Sequence, residues 1–445
     1  MSFPAVSEDF LRQYDVEAPR YTSYPTVPVW SANFSPTDHA LALAAAGDRL
    51  SLYVHLPFCR AMCAFCGCNM VVQRDRSQVD DYLDAIEAEL DLVAASLGRR
   101  RQLAQIHWGG GTPTTLDELQ IQRLWDAIQQ RFDVEPMAEV AIEIAPAITT
   151  GLQLRLLRRL GFNRISIGVQ DLSPEVLKTI HRDQTAEQIG DLLHLARDLG
   201  FRGINVDLIY GLPQQTPRSW GNTLNQVLAL QPDRAAVYSF AYVPEMRHNQ
   251  RQLPLAAIPC GADKLELFKL AYEAFEAAGY QPIGMDHFAR ADDELAIAQR
   301  GRTLRRNFQG YTVSKVKEVI AIGATGISDV GGAYAQNLRP LTHYQSTVRS
   351  GRLATARGLH IGAEDLLRRE VIQELMCNFW VDLGAQAQNR FGAEFAQLQG
   401  LARDGLVRLD GNTIEVTPLG RVFVRNVAMV FDSHPRTHTS HARAV

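Results

Sequence analysis

The chain has 445 residues, 46% hydrophobic and 21% charged, with 45 basic against 49 acidic side chains and a net charge of −4. This is the composition of a globular protein with room for one large domain and one or two smaller ones, and the near balance of charge excludes a global field for nucleic acid. No apolar run reaches the ~18 residues a membrane-spanning helix needs. The opening Met-Ser-Phe-Pro-Ala-Val-Ser-Glu-Asp has no basic segment followed by an apolar core, so no secretory signal and a cytoplasmic location are expected.

In chain order, residues 1–46 read as an N-terminal arm. A short helical pattern (Phe10, Leu11, Tyr14) precedes a Pro- and Tyr-rich segment in which Pro19, Pro25, Pro28 and Pro36 argue against regular structure. From residue 50, short β-rich runs alternate with longer amphipathic stretches. The run 50–56 is followed by a helical pattern through Val79, Leu83, Ile86, Leu90 and Val93; 105–108 by 116–132; 140–144 by 152–160; 164–169 by 187–199; 204–210 by 220–230; and 235–242 by 262–278. Six strand–helix units in succession imply a parallel sheet with right-handed crossovers. Six units fall short of eight, so an α/β fold with an incomplete (β/α)6 TIM-like barrel is expected over residues 47–290. Such barrels carry their chemistry on loops at the strand C-termini, where Cys59, the glycines 109–111, Glu143, Gln170 and Asp207 all fall.

Beyond about residue 290 the alternation is lost, and residues 291–445 are expected to form a C-terminal domain, mostly helical from about 361. Within it, 406–409, Asp410-Gly411 and 414–416 read as a tight hairpin between helical patterns, a winged-helix-like outline. The polar end contains His434, His438 and His441 and reads as a frayed tail rather than a metal site.

The stretch Cys59-Arg-Ala-Met-Cys63-Ala-Phe-Cys66-Gly-Cys68 follows the first strand. Three cysteines spaced by three and then two residues can fold over one cuboidal iron–sulfur cluster as thiolate ligands, leaving the fourth iron open. Structural zinc is the competing reading, but it usually draws two Cys/His pairs from separate segments. The remaining cysteines, Cys260 and Cys377, are isolated and read as buried small apolar residues. The run Gly109-Gly110-Gly111 suits either a plain tight turn or close approach of backbone to a ligand, and it lacks the spacing of a phosphate loop.

The cysteine spacing is the signature of the radical S-adenosylmethionine (SAM) superfamily. With Cys68 and the flanking Tyr53-Val-His-Leu-Pro-Phe-Cys59, the chain resembles the oxygen-independent coproporphyrinogen III oxidases (coproporphyrinogen dehydrogenases). The resemblance extends through Pro19-Arg-Tyr-Thr-Ser-Tyr-Pro-Thr26, His107-Trp-Gly-Gly-Gly-Thr-Pro113, Gly168-Val-Gln-Asp171, Asp207-Leu-Ile-Tyr-Gly-Leu-Pro213, Gly284-Met-Asp-His-Phe-Ala289 and Asn307-Phe-Gln-Gly-Tyr-Thr312.

The resemblance implies a 4Fe-4S cluster on Cys59, Cys63 and Cys66. It also implies two SAM molecules, and a 5′-deoxyadenosyl radical that starts the oxidative decarboxylation of two propionates of coproporphyrinogen III to vinyl groups. Tyr53, Cys68 and Glu143 are then the expected catalytic residues. Tyr53, Phe65, Gly110, Gly111, Thr112, Glu143, Gln170, Arg182, Asp207, Ala241 and Ile327 are the expected SAM contacts; Gln170, Arg182 and Asp207, with Phe65, Gly111 and Thr112, serve the second molecule. Arg20 in the arm is a candidate partner for a substrate carboxylate, which a guanidinium fork matches. Ala145 and Ala147 depart from the family pattern, which has polar residues there. The implied partners are coproporphyrinogen III and a reduced flavodoxin- or ferredoxin-like donor, with a monomeric chain and neither nucleic acid nor membrane insertion. Two rival readings are a related haem-delivery protein, which generally lacks the fourth cysteine, and a radical methyltransferase that acts on haem.

Overall fold

The structure, a computed structural model, describes residues 3–385 and 387–434. Its centre is six strands, β1 (Arg49–Leu56), β2 (Gln102–Gly110), β3 (Asp133–Ile144), β4 (Arg164–Gln170), β5 (Gly203–Tyr210) and β6 (Arg234–Ser239). They lie side by side in chain order and all parallel. Helices α1 (Arg76–Leu97), α2 (Glu118–Arg131), α3 (Gly151–Arg159), α4 (Ala186–Asp198), α5 (Pro217–Ala229) and α6 (Gly261–Ala277) follow them in turn, as the alternation predicts.

The local chemistry explains the boundaries. Asp117, Thr150, Thr185 and Thr216 each cap a helix with a reciprocal side-chain box, which satisfies N–H groups that the first turn leaves without partners. Strand alternation sorts the faces. In β1, Leu50, Leu52, Val54 and Leu56 are buried in the main core with Val79, Leu83, Ile86 and Leu90 of α1. Ser51, Tyr53 and His55 therefore point to the opposite, inner face.

The sheet does not stop at residue 290. β7 (Tyr280–Ile283) and β8 (His287–Arg290) add to one side, and β9 (Val319–Ile322), β10 (Ile327–Val330), β11 (Ala333–Asn337) and β12 (Thr355–His360) to the other. The twelve strands run β12-β11-β10-β9-β1-β2-β3-β4-β5-β6-β8-β7. β9 pairs parallel with β1, Ser51 opposite Val319, so the strands between residues 319 and 360 continue the barrel sheet. Strands of four to six residues, punctuated by Gly323, Gly331 and Gly332, leave too short a window for a periodic signal.

From residue 361 the chain is mostly helical. It holds a three-stranded sheet of β13 (Trp380–Asp382), β14 (Val407–Asp410) and β15 (Thr413–Val416), in the order β13-β15-β14. The expected hairpin at Asp410-Gly411 joins the last two, with Gly411 at φ 56°. The N-terminal arm belongs to this region's core: Leu11, Tyr14, Ala18, Tyr21 and Tyr24 pack with Leu375, Phe379, Leu398 and Phe423. Asn426 Nδ2 donates to the Tyr14 carbonyl and Arg425 Nη1 to that of Ala18, both at 3.0 Å. Trp30 stacks on Tyr334 with centroids 4.8 Å apart. These contacts bring residues 18–28 over the C-terminal ends of the strands.

Cys377 is buried as expected, but Cys260 is exposed, a correction to its reading as a core residue. It stands at the N-cap of α6, outside the apolar stripe. His434 pairs with Asp365 at 2.9 Å; His438 and His441 lie outside the described residues.

Candidate active site

β1 runs straight into the cysteine loop, which is tied down on several sides. Phe58 and Cys59 pair in a short parallel ladder with Val71 and Val72. Gly111 N–H donates to Leu56 O and Thr112 N–H to Phe58 O, both at 2.8 Å. From the opposite wall, the Asn249 side-chain amide donates to the carbonyls of Cys63 (3.1 Å), Ala64 (3.2 Å) and Cys66 (3.0 Å). Gln250 Nε2 donates to Phe65 O at 2.9 Å and Ala241 O at 3.1 Å.

The loop borders a cavity of about 930 Å³ at the C-terminal ends of the parallel strands. Cys59, Cys63 and Cys66 all line it, and each sulfur has its own polar neighbour. Thr112 Oγ1 is 3.4 Å from Cys59 Sγ, Arg182 Nη1 donates to Cys63 Sγ at 3.8 Å, and the Cys68 N–H donates to Cys66 Sγ at 3.4 Å. Burial pushes the Cys59 thiol up to about 11. The hydrogen bond from the Cys68 side chain brings Cys66 down to about 6 and raises Cys68 itself.

Beyond the cysteines, the walls come from strand ends. Gly110 adopts φ 120°, and a Cβ there would stand 2.7 Å from the His55 ring; one on Gly111 would meet Phe58 O at 2.7 Å. The glycine run is thus required for close backbone approach and is more than a turn. Glu143, at the end of β3, accepts the Gly110 N–H at 3.1 Å on Oε2 and faces His107 Nε2 at 3.3 Å with Oε1. Removal from bulk water would raise this carboxyl, but hydrogen bonding to His107, that residue's charge and the Gly110 N–H hold it below the usual carboxylate range.

Arg182 donates through Nη2 to Gly168 O and through Nε to Gln184 Oε1 at 2.7 Å, so its guanidinium is fixed on the cavity wall. Gln170 stands beside it at φ 67°. Asp207 accepts from Ser166 Oγ at 2.9 Å and Asn205 Nδ2 at 2.8 Å; burial, with the charge of Glu143, pushes it up to about 6.

Cys68, Phe65, Gly110, Gly111, Thr112, Glu143, Gln170, Arg182, Asp207 and Ala241 therefore share one cavity with the three cysteines. Tyr53 and Ile327 are not among its lining residues. The Tyr53 hydroxyl lies 3.1 Å from His55 Nδ1, and its ring stacks on His107 at 5.8 Å, one layer behind Glu143. Ile327 opens β10, at the side of the sheet beyond β1. Ala145 and Ala147 line the cavity, as do Arg20 to Ser23 of the arm. The other two motifs also meet: Met285 N–H donates to the Tyr311 hydroxyl at 3.0 Å.

Comparison with known proteins now adds to this geometry. The chain is 42% identical over 438 residues to the oxygen-independent coproporphyrinogen III oxidase of Pseudomonas aeruginosa, covering 96% of this chain and 95% of the relative. It is 43% identical over 434 residues to that of Escherichia coli, with the same coverage. The chain belongs to the oxygen-independent coproporphyrinogen III oxidase family. The fold agrees: the solved Escherichia coli coproporphyrinogen III oxidase, described as a radical SAM enzyme, superposes with a TM-score of 0.90 at 42% identity, over 93% of this chain and 97% of that one. Residues 53–227 match the radical SAM superfamily and 361–423 the HemN C-terminal domain. As a radical SAM oxidoreductase the family works with a 4Fe-4S cluster and SAM.

Sequence reasoning gave no role to Asn249 and Gln250, which brace the loop, or to His55 and His107, which fall inside two of the family-like motifs. The partners of Asn249 lie 183–186 positions away, a separation that only the closed fold removes. The C-terminal match begins at residue 361, one residue after β12 ends.

Proposed function

We propose that this chain carries out the anaerobic oxidative decarboxylation of two propionate side chains of coproporphyrinogen III to vinyl groups, yielding protoporphyrinogen IX in porphyrin and haem biosynthesis. The observation that carries this reading is the three-cysteine loop opening onto one cavity of about 930 Å³ whose walls bear Glu143, Gln170, Arg182 and Asp207. That volume is of the order of a large cofactor-plus-substrate pocket.

The donor set fits a 4Fe-4S cluster. Cys59, Cys63 and Cys66 line one cavity, with Cys59 close enough to feel the charges of the other two, which suits a cuboidal centre held at three corners. Cys59, Cys63 and Cys66 would hold it. When bound, the cluster and SAM supply an adenosyl radical able to take a hydrogen from an unactivated carbon.

The protein's own part is orientation and exclusion of water. Gly110 and Gly111 let backbone approach the SAM methionine group, and Glu143, with its charge kept by His107, faces an ammonium or ribose donor. Tyr53 acts through His55, whose Nε2–H donates to Asn69 O at 3.0 Å and leaves Nδ1 to accept the Tyr53 hydroxyl. Gln170, Arg182 and Asp207, with Phe65 and Thr112, form the place for a second SAM. Ala241 contributes a backbone wall and Ile327 apolar support at longer range. Cys68 modulates Cys66 without ligating. The arm covers the mouth, and the domain plan is residues 1–46 as arm, the radical SAM core, and a helical, winged-helix-like C-terminal module. The electron donor is a reduced flavodoxin- or ferredoxin-like protein. The chain works as a monomer in the cytoplasm.

Anaerobic incubation of the reconstituted chain with reductant, SAM and coproporphyrinogen III tests this. Vinyl products with 5′-deoxyadenosine formation are expected; haem retention without turnover would overturn it.

A further inference from the structure

Four guanidiniums stand around the cysteine loop: Arg60 and Arg247 line the cavity, and Arg74 and Arg339 stand outside it. Arg60 is exposed within the loop, and Arg74 donates from Nε to the Arg60 carbonyl at 3.2 Å. Arg339 donates from Nε to Asn69 Oδ1 at 3.0 Å. Arg247 stands close enough to feel the charge of Arg339 and of the Cys66 and Cys68 thiols. Among the described residues, none of the four has a carboxylate within ion-pair distance, whereas the neighbouring Arg76 is neutralised by Asp117 at 2.8 Å.

The acidic groups on the same segments are few. Asp75 is occupied in capping α1 through Ser77 N–H at 2.9 Å, and Glu245 is exposed. The cysteine loop also carries the exposed apolar side chains Met62, Val71 and Val72, and Met246, next to Arg247 in the chain, is exposed at the cavity. On a chain whose net charge is −4, this is a local excess of positive charge beside exposed apolar side chains of the same loop, which also carries the exposed Cys68.

We propose that this face docks an acidic one-electron carrier protein, which rests on the radical SAM reading above. Arg74, Arg339, Met62, Val71 and Val72 do not line the cavity, so a tetrapyrrole held inside would not reach them. A macromolecule approaching from solvent would. Complementary charge steers encounter, while contact with the apolar side chains of the loop provides the close fit. In the step served, the carrier is oxidised by one electron and the cluster is reduced by one; no bond or proton changes hands.

The test compares the reconstituted chain with Arg74→Glu/Arg339→Glu, neither residue belonging to the catalytic cavity. Cluster bleaching is followed by stopped flow after mixing with an acidic flavodoxin in its hydroquinone state, and separately during photoreduction with a neutral deazaflavin. With flavodoxin at low salt the double variant should bleach about tenfold more slowly than the parent, the difference closing at high salt. With deazaflavin the two should bleach alike. Equal rates with flavodoxin, an equal loss with both reductants, or a raised coproporphyrinogen KM under deazaflavin would each overturn the docking assignment. Absence of a reducible cluster in the parent would instead remove the radical SAM reading. Docking would then be decided by calorimetric binding of oxidised flavodoxin, where unchanged affinity in the double variant overturns it.

Discussion

Asn249 donates its side-chain amide to the carbonyl of Cys66 at 3.0 Å, across 183 positions of chain. The same amide reaches Cys63 O and Ala64 O, so one residue holds the backbone between two of the three proposed cluster ligands. Asn249→Ala removes two N–H donors shared among three carbonyls, each N–H worth about 1 kcal/mol. The expected outcome is a folded chain that reconstitutes poorly, with lowered iron and sulfide content and weakened visible absorbance. Parental cluster occupancy would show that the brace is dispensable.

The cysteines differ in role. Cys66→Ser should abolish the brown colour and SAM cleavage, because a hydroxyl is a poor iron ligand, whereas Cys68→Ser should keep the colour. Absorbance spectra after anaerobic reconstitution distinguish the two, and full colour in Cys66→Ser would remove the ligand assignment.

Glu143 serves His107 and Gly110 with its two oxygens. Glu143→Gln leaves only one acceptor for these two donors and deletes the charge facing the cavity. A hydrogen bond to a charged group contributes about 1.5–3 kcal/mol, so SAM affinity should fall by about tenfold or more. Equilibrium binding measures this directly, and unchanged affinity would place Glu143 outside SAM recognition.

Arg20, read from the sequence as a substrate-carboxylate partner, forms an ion pair with Asp286 and lies over the Tyr238 ring at 5.5 Å. Burial alone would raise the Asp286 carboxyl; the charges of Arg20 and His287 hold it far below the usual range. Arg20→Ala should therefore both raise the KM for coproporphyrinogen and destabilise the chain by about 1–3 kcal/mol. That is less than a wholly orphaned buried charge, because His287 and Arg306 still face Asp286. A change in denaturation midpoint with KM unmoved would make the residue purely structural.

Glu89 lies fully buried in α1, accepting from Gly323 N–H at 2.7 Å and from Asn337 Nδ2 and the Tyr344 hydroxyl at 2.6 Å each. Burial raises its pKa from 4.5 to about 7. Between those values the native chain keeps a proton that the unfolded chain has released. This group's contribution to stability therefore falls as pH rises from about 4.5 to about 7, by roughly 3 kcal/mol overall. Urea titrations at several pH values should show that slope in the parent and lose it in Glu89→Gln; an identical slope in both would assign the dependence to other groups.

Particular residues show what could be read early. The six strand–helix units and the clustering of Cys59, Gly110, Glu143, Gln170 and Asp207 at strand ends were legible, because periodicity is local and parallel alternation sets which ends face together. The chain's membership of the radical SAM superfamily was legible for the same reason: ligand spacing is a property of consecutive residues.

Tertiary structure alone decided three other matters. It extended the sheet through β9–β12, where β9 pairs with β1 and each later strand pairs with the one before it. It packed the arm into the C-terminal core and committed Arg20 to Asp286. It also brought Asn249 and Gln250 against the cysteine loop and set Tyr53 behind Glu143 through His107. Spacing along a chain determines which groups can act within one turn, but contacts between distant segments arise only when burial of the shared core fixes where each strand lies, and no local pattern encodes that position.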